Sequence, residues 1–133
     1  MAASTSLVLS AQPPPKANEQ MQAVLDQLSA LGGRPIEQLT PQEARQQPTP
    51  ADAVKALLKQ RGQSIAPEAV AKVENKSITG AGGEIPIRIY TPEGSGPFPV
   101  ILYIHGGGWV IANLDVYDSS PRALANEIGR AHV

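Results

Sequence analysis

Val100, Ile101, Leu102, Tyr103 and Ile104 form the longest unbroken apolar run of the chain, and Gly106, Gly107 and Gly108 close it almost at once. A short apolar run bounded by turn residues predicts a strand buried on both faces of a parallel sheet, because helices cover both sides of such a sheet. It falls far short of the roughly 18 to 20 residues that a helix needs to cross a bilayer. Downstream, Ser120 fits an N-cap, Pro121 a first helical position, Leu124, Ala125 and Ile128 an apolar face, and Gly129 a left-handed stop. Strand, loop and helix make the first half of a βαβ crossover, so the expected fold class is α/β. The returning strand is expected where the sequence reads Arg130-Ala131-His132-Val133, the last of its 133 residues.

The rest of the chain is poorer in core-forming side chains. One Phe, one Trp and three Tyr supply every aromatic ring, as Tyr90, Phe98, Tyr103, Trp109 and Tyr117, and eight of the 13 Pro precede position 70. Large rings carry much of the burial energy of a core, so the N-terminal half is expected to pack onto the sheet region instead of folding alone. With 11 basic and 12 acidic side chains, the net charge of −1 lacks the clustered basic excess of a nucleic-acid or anionic-membrane binder. The absence of Cys excludes a disulfide scaffold, Cys-ligated zinc, an iron–sulfur centre and a Cys nucleophile.

Residues 1–16 are rich in Ala, Ser and Thr and carry Pro13-Pro14-Pro15, which predicts a disordered tail. The first basic residue, Lys16, follows the short Leu7-Val8-Leu9 run. A secretory signal has the opposite order, which favours a cytoplasmic over an exported address while leaving the compartment open. Residues 17–70 are expected to be helical. Met21, Val24, Leu25, Leu28 and Leu31 recur three and four apart before Gly32-Gly33, Thr40-Pro41-Gln42-Glu43 is a capping box, and Thr49-Pro50 repeats the device for a helix carrying Val54, Leu57 and Leu58. Periodicity alone fits a cap over a site and a plain packing module equally.

From residue 71 the period changes. Lys72 to Thr79 suits a strand, Gly80 to Gly83 a turn, and Glu84 to Thr91 alternates Ile85, Ile87 and Ile89 with Pro86, Arg88 and Tyr90, as a half-buried strand would. Pro86 cannot donate to a ladder and argues for a sheet edge or an unpaired position.

Parallel α/β sheets place ligands at the C-terminal ends of their strands, where His105-Gly106-Gly107-Gly108-Trp109 lies. Glycines there let the backbone take positive φ and aim amide N–H groups at one point, as a developing oxyanion requires. A flexible turn of small residues is the plainer alternative. Trp109 and Tyr117 suit either an acyl pocket or an ordinary core. No acidic pair or ligand spacing joins His105 and His132 into a metal site, so no metal and no cofactor are expected. Gly80-x-Gly82-Gly83 leads into a strand, whereas phosphate cradles open helices.

At these residues the sequence resembles the hormone-sensitive-lipase-like bacterial carboxylesterases of the α/β-hydrolase superfamily. The resemblance runs from about Asp26 onward and rests on Leu39 to Arg45, Gly82 to Pro92, His105 to Trp109 and Leu114 to Asp118. It implies an incomplete α/β-hydrolase sheet: an N-terminal hairpin, the first parallel strand and the following helix within residues 71–133, ending before the nucleophile elbow, with residues 17–70 as part of a cap. It implies that Gly107 and Gly108, with Gly106 as a third, supply oxyanion-hole N–H groups. His105 then orders the loop instead of acting as the base, and Asp118 is a second loop-ordering residue or, equally, an exposed acid near a helix start. The implied partner is a small-molecule ester, with neither nucleic acid nor membrane, and the longer protein is expected to be able to form a homodimer.

The elbow Gly-x-Ser-x-Gly occurs nowhere; Gly62-Gln63-Ser64-Ile65-Ala66 comes nearest and follows a helix, not a strand. These residues are therefore expected to contribute cap and oxyanion hole to a Ser-His-Asp ester hydrolase while being inactive alone. The alternatives are a non-catalytic fragment or interaction module, and an amidase or formamidase of the same fold, since oxyanion chemistry does not separate ester from amide.

Overall fold

The computed structural model describes residues 16–130, and of Arg130 only the backbone. The tail expected at residues 1–16 thus lies almost wholly outside the described residues, as does His132. Helix α1 (Glu19–Ala30) is capped by Asn18, whose side chain accepts the Met21 N–H, and the chain leaves it through Gly32 at φ +76°. Helices α2 (Pro41–Arg45) and α3 (Pro50–Gln60) each open on the expected capping box, Thr40 with Glu43 and Thr49 with Asp52, and each has Pro in its first turn. The two boxes fix where these helices begin, since each satisfies N–H groups that the first turn leaves without partners. α1 packs against α3, and Gln60 donates to the Gln27 side chain at 3.0 Å.

Strands β1 (Lys72–Gly80) and β2 (Gly83–Thr91) form an antiparallel hairpin in continuous register from Lys72 opposite Thr91 to Gly80 opposite Gly83. Pro86 stands opposite Ser77 without breaking that register, on a strand whose other edge is unpaired among the described residues. Helix α4 (Ser119–Arg130) packs against β2. Residues 68 and 69 are tied to it, since Arg122 Nη1 donates to the Glu68 carbonyl at 2.9 Å and Asn126 Nδ2 to the Glu68 side chain at 2.6 Å.

Three expectations need correction. The run Val100 to Ile104 is not a buried strand: no ladder pairs it among the described residues, and Val100, Leu102 and Ile104 are 94, 83 and 82% exposed. A strand exists only by pairing, and among the described residues β1 and β2 pair with each other alone. The apolar side of β2 is likewise only partly covered, with Ile85 and Ile89 exposed and Ile87 half-buried, while Arg88 and Tyr90 on the opposite side are half-buried. Third, α4 begins at Ser119 and runs through Gly129. Asp118 stands at the N-cap, its carbonyl taking the first i to i+4 bond from Arg122, and Pro121 is tolerated within the first turn. Gly129 is small for a packing reason, because a Cβ there would lie 3.0 Å from Pro92 Cβ and 3.1 Å from the Glu93 carbonyl oxygen.

Among the described residues only Ala44, Ala53, Pro92 and Ala125 are buried. Among the described residues no large side chain lies in a core, and no helix is long and apolar enough to cross a membrane.

Candidate functional site: the glycine loop

The loop after Ile104 is built from backbone conformations that side chains resist. Gly107 has φ +135°, Gly108 +57° and Trp109 +58°. Left-handed backbone costs an L-residue roughly 1 to 2 kcal/mol, and at Trp109, whose side chain is exposed, it is the backbone turn closed on the Gly107 carbonyl that offsets this. The Gly107 carbonyl accepts the N–H groups of both Val110 and Ile111 at 3.0 Å, folding residues 107–111 into one tight turn. A Cβ on Gly107 would collide with the Ile111 carbonyl, and one on Gly106 would sit 3.0 Å from the Tyr117 hydroxyl; at Gly108 it would meet open space. Among the described residues no carbonyl takes the N–H of Gly106, Gly107 or Gly108. Successive N–H groups in a turn of this kind make a concavity suited to an anion.

His105 is half-buried beside the loop. Its Nδ1 lies 2.8 Å from the Gly106 carbonyl, and since a carbonyl only accepts, the bond places the ring proton on Nδ1. The ring stacks on Tyr117 at a centroid separation of 5.5 Å, and Tyr117 also meets Tyr103 at 6.3 Å. Trp109 belongs to neither an acyl pocket nor a core here, being fully exposed.

Asp118 does not touch the glycines. Its Oδ1 accepts from the Tyr90 hydroxyl at 2.6 Å and Arg88 Nη1 at 3.0 Å, and its Oδ2 from Arg122 Nε at 2.6 Å. Arg88 also donates to Asp115 at 2.7 Å and to Asn75 at 2.7 Å. Burial pushes the Asp118 carboxyl up, but the bonds from Tyr90, Arg122 and Arg88 outweigh it and hold the group below the usual carboxylate range. The Tyr90 hydroxyl is raised, chiefly by burial and then by its bond to Asp118. Asp118 therefore clamps β2 to the start of α4, next to the Tyr117 ring that stacks on His105.

The glycine loop faces α2 across an open cleft of about 490 Å³ lined on one side by Ile36, Leu39, Pro41 and Ala44 and on the other by Gly107, Gly108, Val110 and Ile111. Arg45 Nε crosses between them and donates to the Val110 carbonyl at 2.8 Å. Sequence reading missed Arg45, whose place at the end of a helix suggests only a charge complementing the helix dipole. It also missed Arg88, Tyr90 and Arg122, because polar residues on a strand and a helix give no sign of a shared acid. No group of His, Asp and Glu able to hold a metal occurs among the described residues.

No family model matches the chain. It is 43% identical over 61 residues to the carboxylic ester hydrolase LipN of Mycobacterium tuberculosis, covering 46% of this chain and 16% of that protein. With a versiconal hemiacetal acetate esterase of Dothistroma septosporum it shares 34% over 96 residues, which is 71% of this chain and 26% of the other. Among solved structures, an ester-hydrolase from the metagenome of Lake Arreo, complexed with a bipyridine phosphonate derivative, superposes with a TM-score of 0.56 at 34% identity, covering 81% of this chain and 33% of that one. The chain thus spans between 16 and 33% of the lengths of these relatives. A hairpin, a glycine loop and a following helix, combined with these likenesses, are consistent with part of an α/β-hydrolase similar to the hormone-sensitive-lipase-like carboxylesterases.

Proposed function

We propose that residues 105–109 form the oxyanion hole of a carboxylic ester hydrolase that works through a serine acyl-enzyme, with small-molecule esters as substrates. The observation that carries this reading is the pair of unused N–H groups on Gly107 and Gly108, held at positive φ beside an apolar cleft. When a serine oxygen attacks an ester carbonyl, the π electrons move onto the carbonyl oxygen, and N–H groups already in place stabilise that charge without reorganising. The Gly106 N–H is the third donor, and His105 and Asp118 order the loop, the first through its own ring and the second through Tyr117. Helix α2 forms one wall of a cap over the acyl group.

The 133 residues hold no Gly-x-Ser-x-Gly, so they do not turn over esters by themselves. Oxyanion donors contribute about 10² to 10³ in rate, whereas loss of nucleophile or base in a comparable triad costs about 10⁶. The test pairs two proteins: this chain, and a chimera in which its residues 16–130 replace the matching segment of the Lake Arreo ester-hydrolase. The chain should release p-nitrophenol from p-nitrophenyl acetate no faster than buffer, and the chimera should hydrolyse it with saturation. Turnover by the chain that a serine-directed phosphonate abolishes, or a folded chimera without hydrolysis, would overturn the proposal.

A further inference from the structure

We infer that Arg45 is a positioning residue for the glycine loop, joining cap helix to oxyanion donors through its bond to the Val110 carbonyl; the inference rests on the reading of residues 105–109 given above. Gly107 and Gly108 do not hold their own conformation. The turn is closed by Val110 and Ile111, whose N–H groups both reach the Gly107 carbonyl, and Gly107 packs so closely on Ile111 that no Cβ fits between them. Whatever fixes Val110 and Ile111 therefore aims the glycine amides. The described side-chain bond to that limb of the turn is the one from Arg45 Nε, 2.8 Å from the Val110 oxygen and 65 residues distant in sequence.

The donor is itself well placed. Arg45 ends α2, whose start is fixed by the Thr40 and Glu43 capping box, and Arg34 Nη2 holds Glu43 at 3.1 Å. Ala44, the adjacent residue, is buried in the cleft opposite Gly107 and Gly108. A carbonyl bound by a guanidinium is also polarised, which strengthens the charge-assisted bond and keeps the turn from opening. The cap helix is in this way a structural support of the chemistry as well as a wall of the cleft.

Arg45→Met and Arg45→Lys keep an unbranched stem that reaches at least as far as Arg45 Nε, and only the second keeps a donor. Trp109 is the single Trp of the chain and lies in the loop, so its time-resolved fluorescence anisotropy reports loop motion directly. In the full 133-residue chain, carrying Leu102→Lys and Ile104→Lys to keep it monomeric, Arg45→Met should lose anisotropy through faster local motion of Trp109, at unchanged helical circular dichroism, and Arg45→Lys should restore part of it. In the chimera Arg45→Met should lower kcat about tenfold to a hundredfold with KM within about twofold, since a misplacement of about 1 Å costs rates of that order. Arg45→Lys should recover most of kcat. Unchanged Trp109 anisotropy in Arg45→Met, or an unchanged kcat in a chimera that hydrolyses esters, overturns the assignment. A folded chimera with no activity even when Arg45 is intact refutes the esterase reading instead, and the Trp109 measurement then decides the role of Arg45 without it.

Discussion

The Tyr90 hydroxyl donates to Asp118 Oδ1 at 2.6 Å, and this bond, with those from Arg88 and Arg122 to the same carboxylate, fastens the hairpin to α4. Side-chain exposures of 18% for Asp118, 15% for Arg88 and 14% for Arg122 make this the least solvent-screened ion cluster of the described residues. Removing the carboxylate leaves two guanidinium groups partly buried without their shared partner, at a cost of about 2 to 3 kcal/mol.

Asp118→Ala should accordingly lower amide hydrogen-exchange protection in β2 near Arg88 to Tyr90 by a factor of about 30 to 100. The pH dependence has a definite sign. Asp118 is more acidic folded than unfolded, so its contribution is complete above the unfolded carboxyl value near about 4 and is lost as pH falls through the lower folded one. Protection in this strand, corrected for intrinsic exchange, should therefore fall below about pH 4 in the wild type and stay flat in Asp118→Ala. An unchanged wild-type profile through that range would contradict the clamp.

Local signals in the sequence are legible because they close within a few residues. The two capping boxes, the Gly32 stop and the hairpin at Lys72 to Thr91 all involve partners close along the chain. What the sequence does not disclose depends on distant partners. An apolar run such as Val100 to Ile104 says that a strand wants neighbours and cannot say which residues pair with it. Gly129 looked like a stop because Gly ends many helices, whereas its reason is the close approach of Pro92 and Glu93. The glycine loop was legible as a motif, but the bond from Arg45 that reaches it spans 65 residues and has no local signature.

The uncovered apolar run bears on solution behaviour. Val100, Leu102, Ile104 and the fully exposed Trp109 present apolar surface on an unpaired stretch of backbone, the arrangement that invites strand pairing between molecules. Sedimentation velocity should find the 133-residue chain oligomeric or aggregated, and Leu102→Lys with Ile104→Lys should shift it towards monomer. A monodisperse wild-type monomer would show that the run is covered in solution.

The N-terminal helices are expected to depend on the rest of the protein. Their buried residues are Ala44 and Ala53, while Met21, Leu25, Leu31, Ile36 and Val54 remain exposed. Such burial does not offset a backbone ordering cost of about 1 to 2 kcal/mol per residue. Circular dichroism of residues 17–70 alone should show gradual, non-cooperative melting; a sharp two-state transition would mean that they form a module of their own.

The glycines of the loop should differ in their tolerance. Gly107→Val meets both a positive φ and the Ile111 backbone, whereas Gly108→Ala meets only a left-handed φ in open space. In the chimera Gly107→Val should reduce kcat by about 10² to 10³, as expected if the proposed Gly107 donor is turned away from the oxyanion. Gly108→Ala should cost less, on the order of tenfold, reflecting roughly 1 to 2 kcal/mol of backbone strain. Equal losses at both positions would mean that steric fit to Ile111 does not set the loop.

The most direct measurement is a crystal structure of the chimera after reaction with a serine-directed phosphonate, whose anionic oxygen stands where the oxyanion of the tetrahedral intermediate would be. That oxygen should lie about 2.7 to 3.1 Å from the backbone nitrogens of Gly107 and Gly108, with the Val110 carbonyl still bound by Arg45. A phosphonate oxygen stabilised by other groups, with the Gly107 and Gly108 amides turned away from it, would contradict the assignment of residues 105–109 as the oxyanion hole.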